Sequence, residues 1–296
     1  MKLLLCQDGT ETAERAAQLG SLLAAACHAR VTLLAPGGAE AAGTAGLEAA
    51  LDRARTGLEA LRVPHATHRP AIPFEQAVIQ ATESAAYDLV VLGGARRDEN
   101  GELVLAQARY ELIQELRPPV LVVTGPVAKV ERILLCTTGT GQLDHAIELS
   151  ARLARGLGAR LTLLHVVPKP PALYVPTDRR EAEVAAVPHA DTALGRELRR
   201  QRDLAVRHGA AVEICIRDGL VAPEILAEIQ NGGHDLVVTG SSRSHGTLRT
   251  YVLGDLTREI LAQVEGALLV VRLTPAGAGT ASLRTWLERV TQRPPE

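Results

Sequence analysis

The sequence contains very few aromatic residues. Phe, Trp and Tyr together make up 2% of its 296 residues, with a single Trp and a single Phe. Proteins that bind RNA or single-stranded DNA stack bases on aromatic side chains, and the formal net charge of −2 provides no general attraction for nucleic acid. The composition therefore argues against a nucleic-acid partner and leaves aliphatic side chains to build the core.

Cysteine pairs and long apolar runs are also missing. The four cysteines lie far apart in apolar stretches and form no CxxC motif, which argues against a disulfide framework or a zinc site. No stretch approaches the roughly 18 consecutive apolar residues of a membrane span. The amino terminus becomes polar at Gln7, too soon for a signal peptide. We expect a cytoplasmic protein with neither a metal ion nor a membrane partner.

What the sequence does contain is an internal repeat. Leu5–Thr10 resembles Leu135–Thr140 at an offset of 130 residues, whereas the identical segments Asp88–Val91 and Asp235–Val238 lie 147 residues apart. The offset grows between these matches, so the second copy carries an insertion, which we place in the proline-rich stretch at about 168–188. The pattern predicts a duplicated domain.

Each copy alternates short apolar runs with segments of helical length. Continuous rather than alternating hydrophobicity indicates strands buried on both faces, as in a parallel sheet. The alternation predicts two tandem doubly wound α/β domains of five strands each. The clearest predicted strands are Leu3–Cys6, Val31–Leu34, Leu89–Leu92 and Val120–Val123. We predict helices over Glu11–Ala26 and Leu143–Leu157, capped by Thr10 and Thr140.

The expected domain boundaries follow from this pattern. One domain covers 1–125, the second covers 130–273, and residues 277–296 form a tail with a short amphipathic helix. That helix carries Leu283, Trp286, Leu287 and Val290 at helical spacing. We interpret Trp286 as a packing anchor rather than a ligand platform.

Ligands of open α/β sheets bind beyond the carboxyl ends of the strands. In this sequence the first strand of each copy ends in a polar turn with a glycine, and a loop rich in small residues follows the strand at Asp235. Such a loop can cradle phosphate or can simply connect a strand to a helix, and composition alone leaves both open. No P-loop, GxGxxG fingerprint with its acid, GxSxG elbow or metal-binding spacing is present.

Two other features have structural interpretations. His165 follows an apolar run, and we expect a hydrogen-bonded structural histidine near the sheet edge. The basic stretch Arg199–Arg202 is flanked by Glu197 and Asp203, which favours a solvated helix face over a nucleic-acid patch.

The repeat unit resembles the universal stress protein domain, which has a Rossmann-like, adenine-nucleotide α-hydrolase-like fold. Three features carry the resemblance: the strand-end Asp8-Gly9-Thr10, the paired second strands with their Leu-Thr-Leu-Leu, and the strand at Asp235–Gly240 followed by the segment Gly246–Gly254. The whole chain resembles a tandem member of that family. This implies a role in the stress response and domains that associate through their last strands, at Val120–Val123 and Leu268–Val271. A further homodimer and an unidentified protein partner are compatible with the resemblance.

The resemblance also implies where a nucleotide would bind. ATP-binding members carry a Gly-x2-Gly-x9-Gly-Ser/Thr signature, from which the second copy departs: Ser241 and Ser244 replace the first two glycines and Asp255 replaces the hydroxyl residue. A carboxylate beside a phosphate repels it. The residues that would line an ATP–Mg²⁺ site in the second domain are Thr138, Val166, Gly240, Ser241, Arg243, Ser244, Gly246 and Gly254.

The first copy has the opposite mixture. Asp8 stands where the family has its strand-end aspartate, whereas three acids occupy the loop at 94–102 and Gly254 corresponds to Ala106. We interpret Asp8 mainly as a turn or capping residue and only weakly as a nucleotide ligand.

Three functions remain open from the sequence. The first is a non-catalytic stress-response regulatory protein with degenerate nucleotide sites. The second is an adenine-nucleotide sensor that binds through the second domain. The third is a weak ATP hydrolase, for which no general base is evident beside the loop.

Overall fold

The computed structural model describes residues 1–37, 45–94, 96–97, 103–104, 107–168, 184, 186–241 and 257–273. Residues 169–183 and 185, which make up most of the predicted insertion at about 168–188, lie outside these residues. So do the loop from 242 to 256 and the residues from 274 onward, which include the predicted tail at 277–296. Within the described ranges, no helix is long and apolar enough to cross a membrane.

The amino-terminal half alternates strands and helices as the sequence predicts, with one addition. A two-stranded antiparallel hairpin, β5 with β6, replaces part of the loop expected at 94–102. The elements of this half are β1 (Lys2–Cys6), α1 (Glu11–Ala26), β2 (Arg30–Leu34), α2 (Ala45–Ala60), β3 (His65–His68), α3 (Phe74–Ser84), β4 (Leu89–Gly93), β5 (Arg96–Arg97), β6 (Leu103–Val104), α4 (Gln107–Glu115) and β7 (Val120–Val123).

The carboxy-terminal half repeats the same alternation. Its elements are β8 (Arg132–Cys136), a 3₁₀ turn (Gly141–Leu143), α5 (Asp144–Leu157), β9 (Arg160–Pro168), α6 (Ala193–Arg207), β10 (Ala211–Gly219), α7 (Val221–Gly232), β11 (Leu236–Ser241), α8 (257–263) and β12 (Ala267–Arg272).

All ten main strands form one sheet, in the order β10-β9-β8-β11-β12-β7-β4-β1-β2-β3. Pairing is parallel within each half, and the halves join where β12 runs antiparallel to β7, with Leu268 opposite Val122 and Leu269 opposite Leu121. The pairing leaves β3 and β10 as the edges of this sheet. Two five-stranded parallel units are thus fused edge to edge.

Helices cover both faces of the sheet. Alternate residues of β1 point to opposite faces: Leu3 and Leu5 belong to the apolar layer that includes residues of α1, α2, α5 and α6, whereas Leu4 and Cys6 belong to the layer that includes residues of α3, α4, α7 and α8. Because both faces are covered, the central strands are buried and mostly apolar, whereas the edge strands β3 and β10 are partly exposed. The two apolar layers run across the junction between the halves.

Side chains also tie the halves together. Arg272 at the end of β12 donates to the carbonyl oxygens of Ile113, Gln114 and Leu116 at the end of α4. Carbonyls at the last turn of a helix have no partner within the helix, so a guanidinium from the other half satisfies them. Thr124 hydrogen-bonds in turn across the junction to the backbone of Gly266.

The two predicted helix caps differ in outcome. The Thr10 side chain accepts from the Ala13 amide and caps α1, as predicted. The prediction for Thr140 is wrong: its side chain caps no helix, a 3₁₀ turn follows it, and α5 begins only at Asp144. The Thr140 hydroxyl instead lies 2.8 Å from that of Thr138.

Candidate functional site

The predicted site residues of the second half converge on one edge of the sheet. Thr138 follows the end of β8, Val166 lies near the end of β9, and Gly240 and Ser241 end β11. Strand β8 lies between β9 and β11, so these residues surround the point where the strand order reverses. That point is where open α/β sheets bind ligands. The other predicted site residues, Arg243, Ser244, Gly246 and Gly254, lie outside the described residues, as does Asp255.

Thr138 and Thr140 are the exposed residues of this turn. The turn is shaped by Gly139, whose φ of +70° suits glycine. A Cβ at Gly139 would lie 2.4 Å from Leu194 Cδ1 and 3.2 Å from His165 Cε1, so packing requires glycine here as well. Helix α6, through Leu194, therefore closes part of the space above the turn.

A buried glutamine fastens the same turn to α6. Gln201, which is fully buried, accepts from the Thr137 hydroxyl at 2.7 Å and donates to the Thr140 carbonyl at 3.0 Å. Its amide nitrogen also lies 3.0 Å from Glu197 Oε1. The interpretation of this stretch as a solvated helix face is wrong for Gln201. The charged neighbours of Gln201 along the helix suggest an exposed position. Gln201 is buried because it faces the 137–140 turn, which those neighbours do not reveal.

Charged side chains complete this network. Arg200 bridges Asp144 at the start of α5 and Glu197 one turn earlier on α6. The hydrogen bond from Arg200, assisted by that from Gln201, lowers the pKa of Glu197 although partial burial opposes the shift. The polar groups around the 137–140 turn are thus satisfied within the protein.

His165 is a structural residue, as the sequence suggests. It is 8% exposed, and its Nδ1 donates to the Thr137 carbonyl at 3.0 Å. Burial lowers the pKa of His165, partly offset by the hydrogen bond to Thr137. The imidazole is therefore neutral at pH 7 and engaged with the backbone.

Gly240 and Ser241 have packing roles in this site. A Cβ on Gly240 would lie 2.5 Å from Leu273 Cδ2 and 2.9 Å from Leu143 Cδ2, so a larger residue would displace these two side chains. The Ser241 hydroxyl accepts from Arg272 Nη1 at 3.1 Å. Val166 is 7% exposed and belongs to the core.

The matching turn of the first half is closed by an ion pair. Asp8 Oδ2 lies 2.5 Å from Arg109 Nη2, and the two side chains are only 15% and 13% exposed. Asp8 Oδ1 accepts from both the amide and the hydroxyl of Thr10, so the turn role predicted for Asp8 is present in the structure. The Arg109 guanidinium also stacks on the Phe74 ring, 4.5 Å from its centroid.

Sequence reasoning missed Arg109. It follows the loop at 94–102 by only a few residues, but 101 residues separate it from Asp8. Its register on α4 brings the guanidinium to the end of β1. The only signal in the sequence was the position of Arg109 in the first turn of α4. In the second copy, the corresponding helix is the one that follows Gly254.

The charged residues of these turns form no metal site. Within the part of the chain that the structure describes, no group of three or more His, Cys, Asp or Glu side chains is arranged to hold a metal ion. The cysteines at the strand ends are buried, and burial raises the pKa of the Cys136 thiol to about 12. Such a thiol is a core residue rather than a nucleophile.

Comparison with known proteins agrees with this geometry. Residues 129–272 match the model of the universal stress protein family. The second half is a universal stress protein domain. The structure of a universal stress protein from Archaeoglobus fulgidus DSM 4304 is 15% identical and has a TM-score of 0.64, over 92% of this chain and 98% of that chain.

Other solved structures are also similar. A functionally unknown protein from Pseudomonas aeruginosa PAO1 is 17% identical with a TM-score of 0.66, over 92% of this chain and 92% of that one. A universal stress protein from Archaeoglobus fulgidus in complex with dAMP is 14% identical with a TM-score of 0.33, over 49% of this chain and 98% of that chain. No curated protein matches the sequence. The match over 92% of this chain shows that both halves share the fold of that universal stress protein.

Proposed function

We propose that this protein is a non-catalytic regulatory binding protein of the stress response, whose nucleotide sites are degenerate. The observation that carries the proposal is the buried pair of Asp8 and Arg109. A carboxylate paired with an internal guanidinium has its charge compensated and its oxygens engaged. A ligand would have to displace Arg109 to use Asp8.

The second half supports the same function in a different way. Thr138 stands at the position of Asp8 and brings a hydroxyl without charge. The neighbouring Gly240 lies against the side chains of Leu143 and Leu273. When the second half is compared with the ATP-binding signature of the family, Asp255 takes the position of the hydroxyl residue and adds a negative charge where phosphate would lie.

The ionisable groups beside the two turns do not favour catalysis. Asp8 is paired with Arg109 and His165 is buried on a backbone carbonyl. A general base must reach the proton that it abstracts, and neither side chain projects toward open space. These contacts support a binding role over ATP hydrolysis.

A second candidate is an adenine-nucleotide sensor in the second half. The observation in its favour is the convergence of Thr138, Val166 and Gly240 on the switch point of the sheet. Arg243, Ser244, Gly246 and Gly254 would then complete an ATP–Mg²⁺ site. If this site binds ATP, Gly254→Asp should abolish binding, and Asp255→Ser should tighten it because a repelling charge is removed.

Mass spectrometry separates the two candidates. The full chain is purified without added nucleotide, and released ligands are identified after denaturation. The regulatory function predicts no adenine nucleotide in stoichiometric amount. A stoichiometric nucleotide that Gly254→Asp removes and Asp8→Asn retains would establish the sensor instead.

A further inference from the structure

An open groove lies between α1 and α2, in the helical layer that covers one face of the sheet. It encloses a cavity of about 370 Å³, and the linker residue Val127 forms part of its wall. We call it the α1–α2 groove and define it by its small lining residues on the two helices: Ala17, Ser21, Ala50, Ala54 and Gly57. None of these five side chains is larger than serine, and Gln18, Leu22 and Arg53 complete the walls on the two helices.

Apolar surface remains accessible at this groove. A Cβ placed on Gly57 would have no atom within 4 Å. Leu61, which lies at the end of the groove, is 39% exposed, and Val127 is half-buried. The ion pair of Glu14 with Arg53 supplies the charged part of the lining.

The remainder of the chain is long enough to reach this groove. The described chain ends at Leu273, which packs against the same apolar layer that α1 and α2 cover. Strands β12 and β1 are three places apart in the sheet, or about 15 Å at the usual strand spacing. The nine residues 274–282 span up to about 30 Å when extended.

The tail also matches the groove in chemistry. Leu283, Trp286, Leu287 and Val290 form an apolar stripe with helical spacing, which suits a groove lined by small residues. Residues 283–293 contain three arginines and one glutamate, whereas α1 and α2 together contain five acids and three arginines. The segment therefore has a net charge of +2 and the two helices together have −2, while the charged lining of the groove itself is the neutral pair of Glu14 with Arg53.

We infer that the tail docks in the α1–α2 groove of its own chain, as an amphipathic helix anchored by Trp286. The small residues of the groove allow close approach of a third helix. The docked helix would cover Leu61 and tie the end of the second half to the first half. The inference is independent of nucleotide binding.

Trp286 is the only tryptophan in the chain, so its fluorescence reports on the tail alone. The test compares the full chain with two variants of α2, Gly57→Arg in the groove and Gly46→Arg outside it. Both glycines are helical and have open space at the Cβ position. Both substitutions also add the same charge and improve helix propensity.

We expect blue-shifted Trp286 emission and weak acrylamide quenching in the parent chain and in Gly46→Arg. Gly57→Arg should shift the emission to the red and raise the quenching constant at least twofold, with unchanged circular dichroism. If Gly57→Arg fails to fold, Leu283→Asp replaces it, because residue 283 lies outside both predicted domains. Leu283→Asp should give the same red shift and the same rise in the quenching constant.

Three results would overturn the inference. One is an acrylamide quenching constant of Trp286 in the parent chain that equals the constant in the urea-unfolded chain, because the tail would then not occupy the groove. Another is Gly57→Arg and Leu283→Asp variants with parental emission. The third is burial of Trp286 that is lost on dilution at the same concentrations at which sedimentation shows a dimer dissociating. That result would place the tail in the groove of a second copy.

Discussion

The ion pair of Asp8 with Arg109 should contribute measurably to folding stability. Both side chains are more than four-fifths buried, their closest atoms are 2.5 Å apart, and Arg109 also stacks on Phe74. Removing one partner of a fully buried pair costs about 3–5 kcal/mol, whereas exposed pairs contribute about 0–1 kcal/mol. Asp8 keeps its bonds to Thr10, so we expect Arg109→Met to cost about 2–3 kcal/mol.

A double-mutant cycle isolates the pair from the stacking on Phe74. Asp8→Asn, Arg109→Met and the double variant are unfolded in urea and followed by circular dichroism. We expect a coupling energy of about 2 kcal/mol, within the range measured for residues in contact. The exposed pair of Arg55 with Asp52 on α2 is the control, with an expected coupling of about 0.2–0.5 kcal/mol.

The measured coupling energy also shows whether Arg109 holds the Asp8 carboxylate. If the coupling between Asp8 and Arg109 is no larger than that of the control pair, the guanidinium does not hold Asp8. Asp8 would then be available to a ligand, and the main support for a degenerate first site would be lost.

Three further predictions rest on other contacts. His165→Gln should make stability less sensitive to pH: the pKa of His165 is lowered in the folded state, so its stabilising effect is complete above about pH 6.5 and declines as pH falls through the folded pKa. Urea titrations across that range measure this, and a parental slope in His165→Gln contradicts it. Gln201→Leu should lower the free energy of unfolding by about 1–3 kcal/mol, because it removes the acceptor of the Thr137 hydroxyl and the donor to the Thr140 carbonyl; a smaller loss in urea unfolding contradicts this. Arg272→Met should cost about 2 kcal/mol by freeing the carbonyls at the end of α4, and an unchanged calorimetric melting temperature would show that this link between the halves contributes nothing.

The sequence predicts the elements whose signals are local. Helix α1 begins and ends at the predicted residues, and so does β7, because an uninterrupted apolar run or an alanine-rich segment with its cap is complete within a few residues. The universal stress protein fold follows from the order of such elements. The hairpin of β5 and β6 escapes this reasoning because each of its strands is only two residues long.

The site depends on contacts that no local pattern encodes. Arg109 meets Asp8, and Gln201 meets Thr137, only after helices have packed on the sheet. The sequence identified the turns and the role of His165, but not the side chains that close the turns. Thr140 shows the converse: a good capping residue forms a different hydrogen bond when Thr138 is within reach.

We propose that the full chain does not bind adenine nucleotides at its strand ends. Isothermal titration calorimetry of the full chain with ATP and Mg²⁺ measures such binding. We expect no saturable heat at protein concentrations at which a site of micromolar affinity would be filled. A saturable isotherm with a stoichiometry of one or two, abolished by Gly254→Asp or by Asp8→Asn, would contradict it and assign the site to one half.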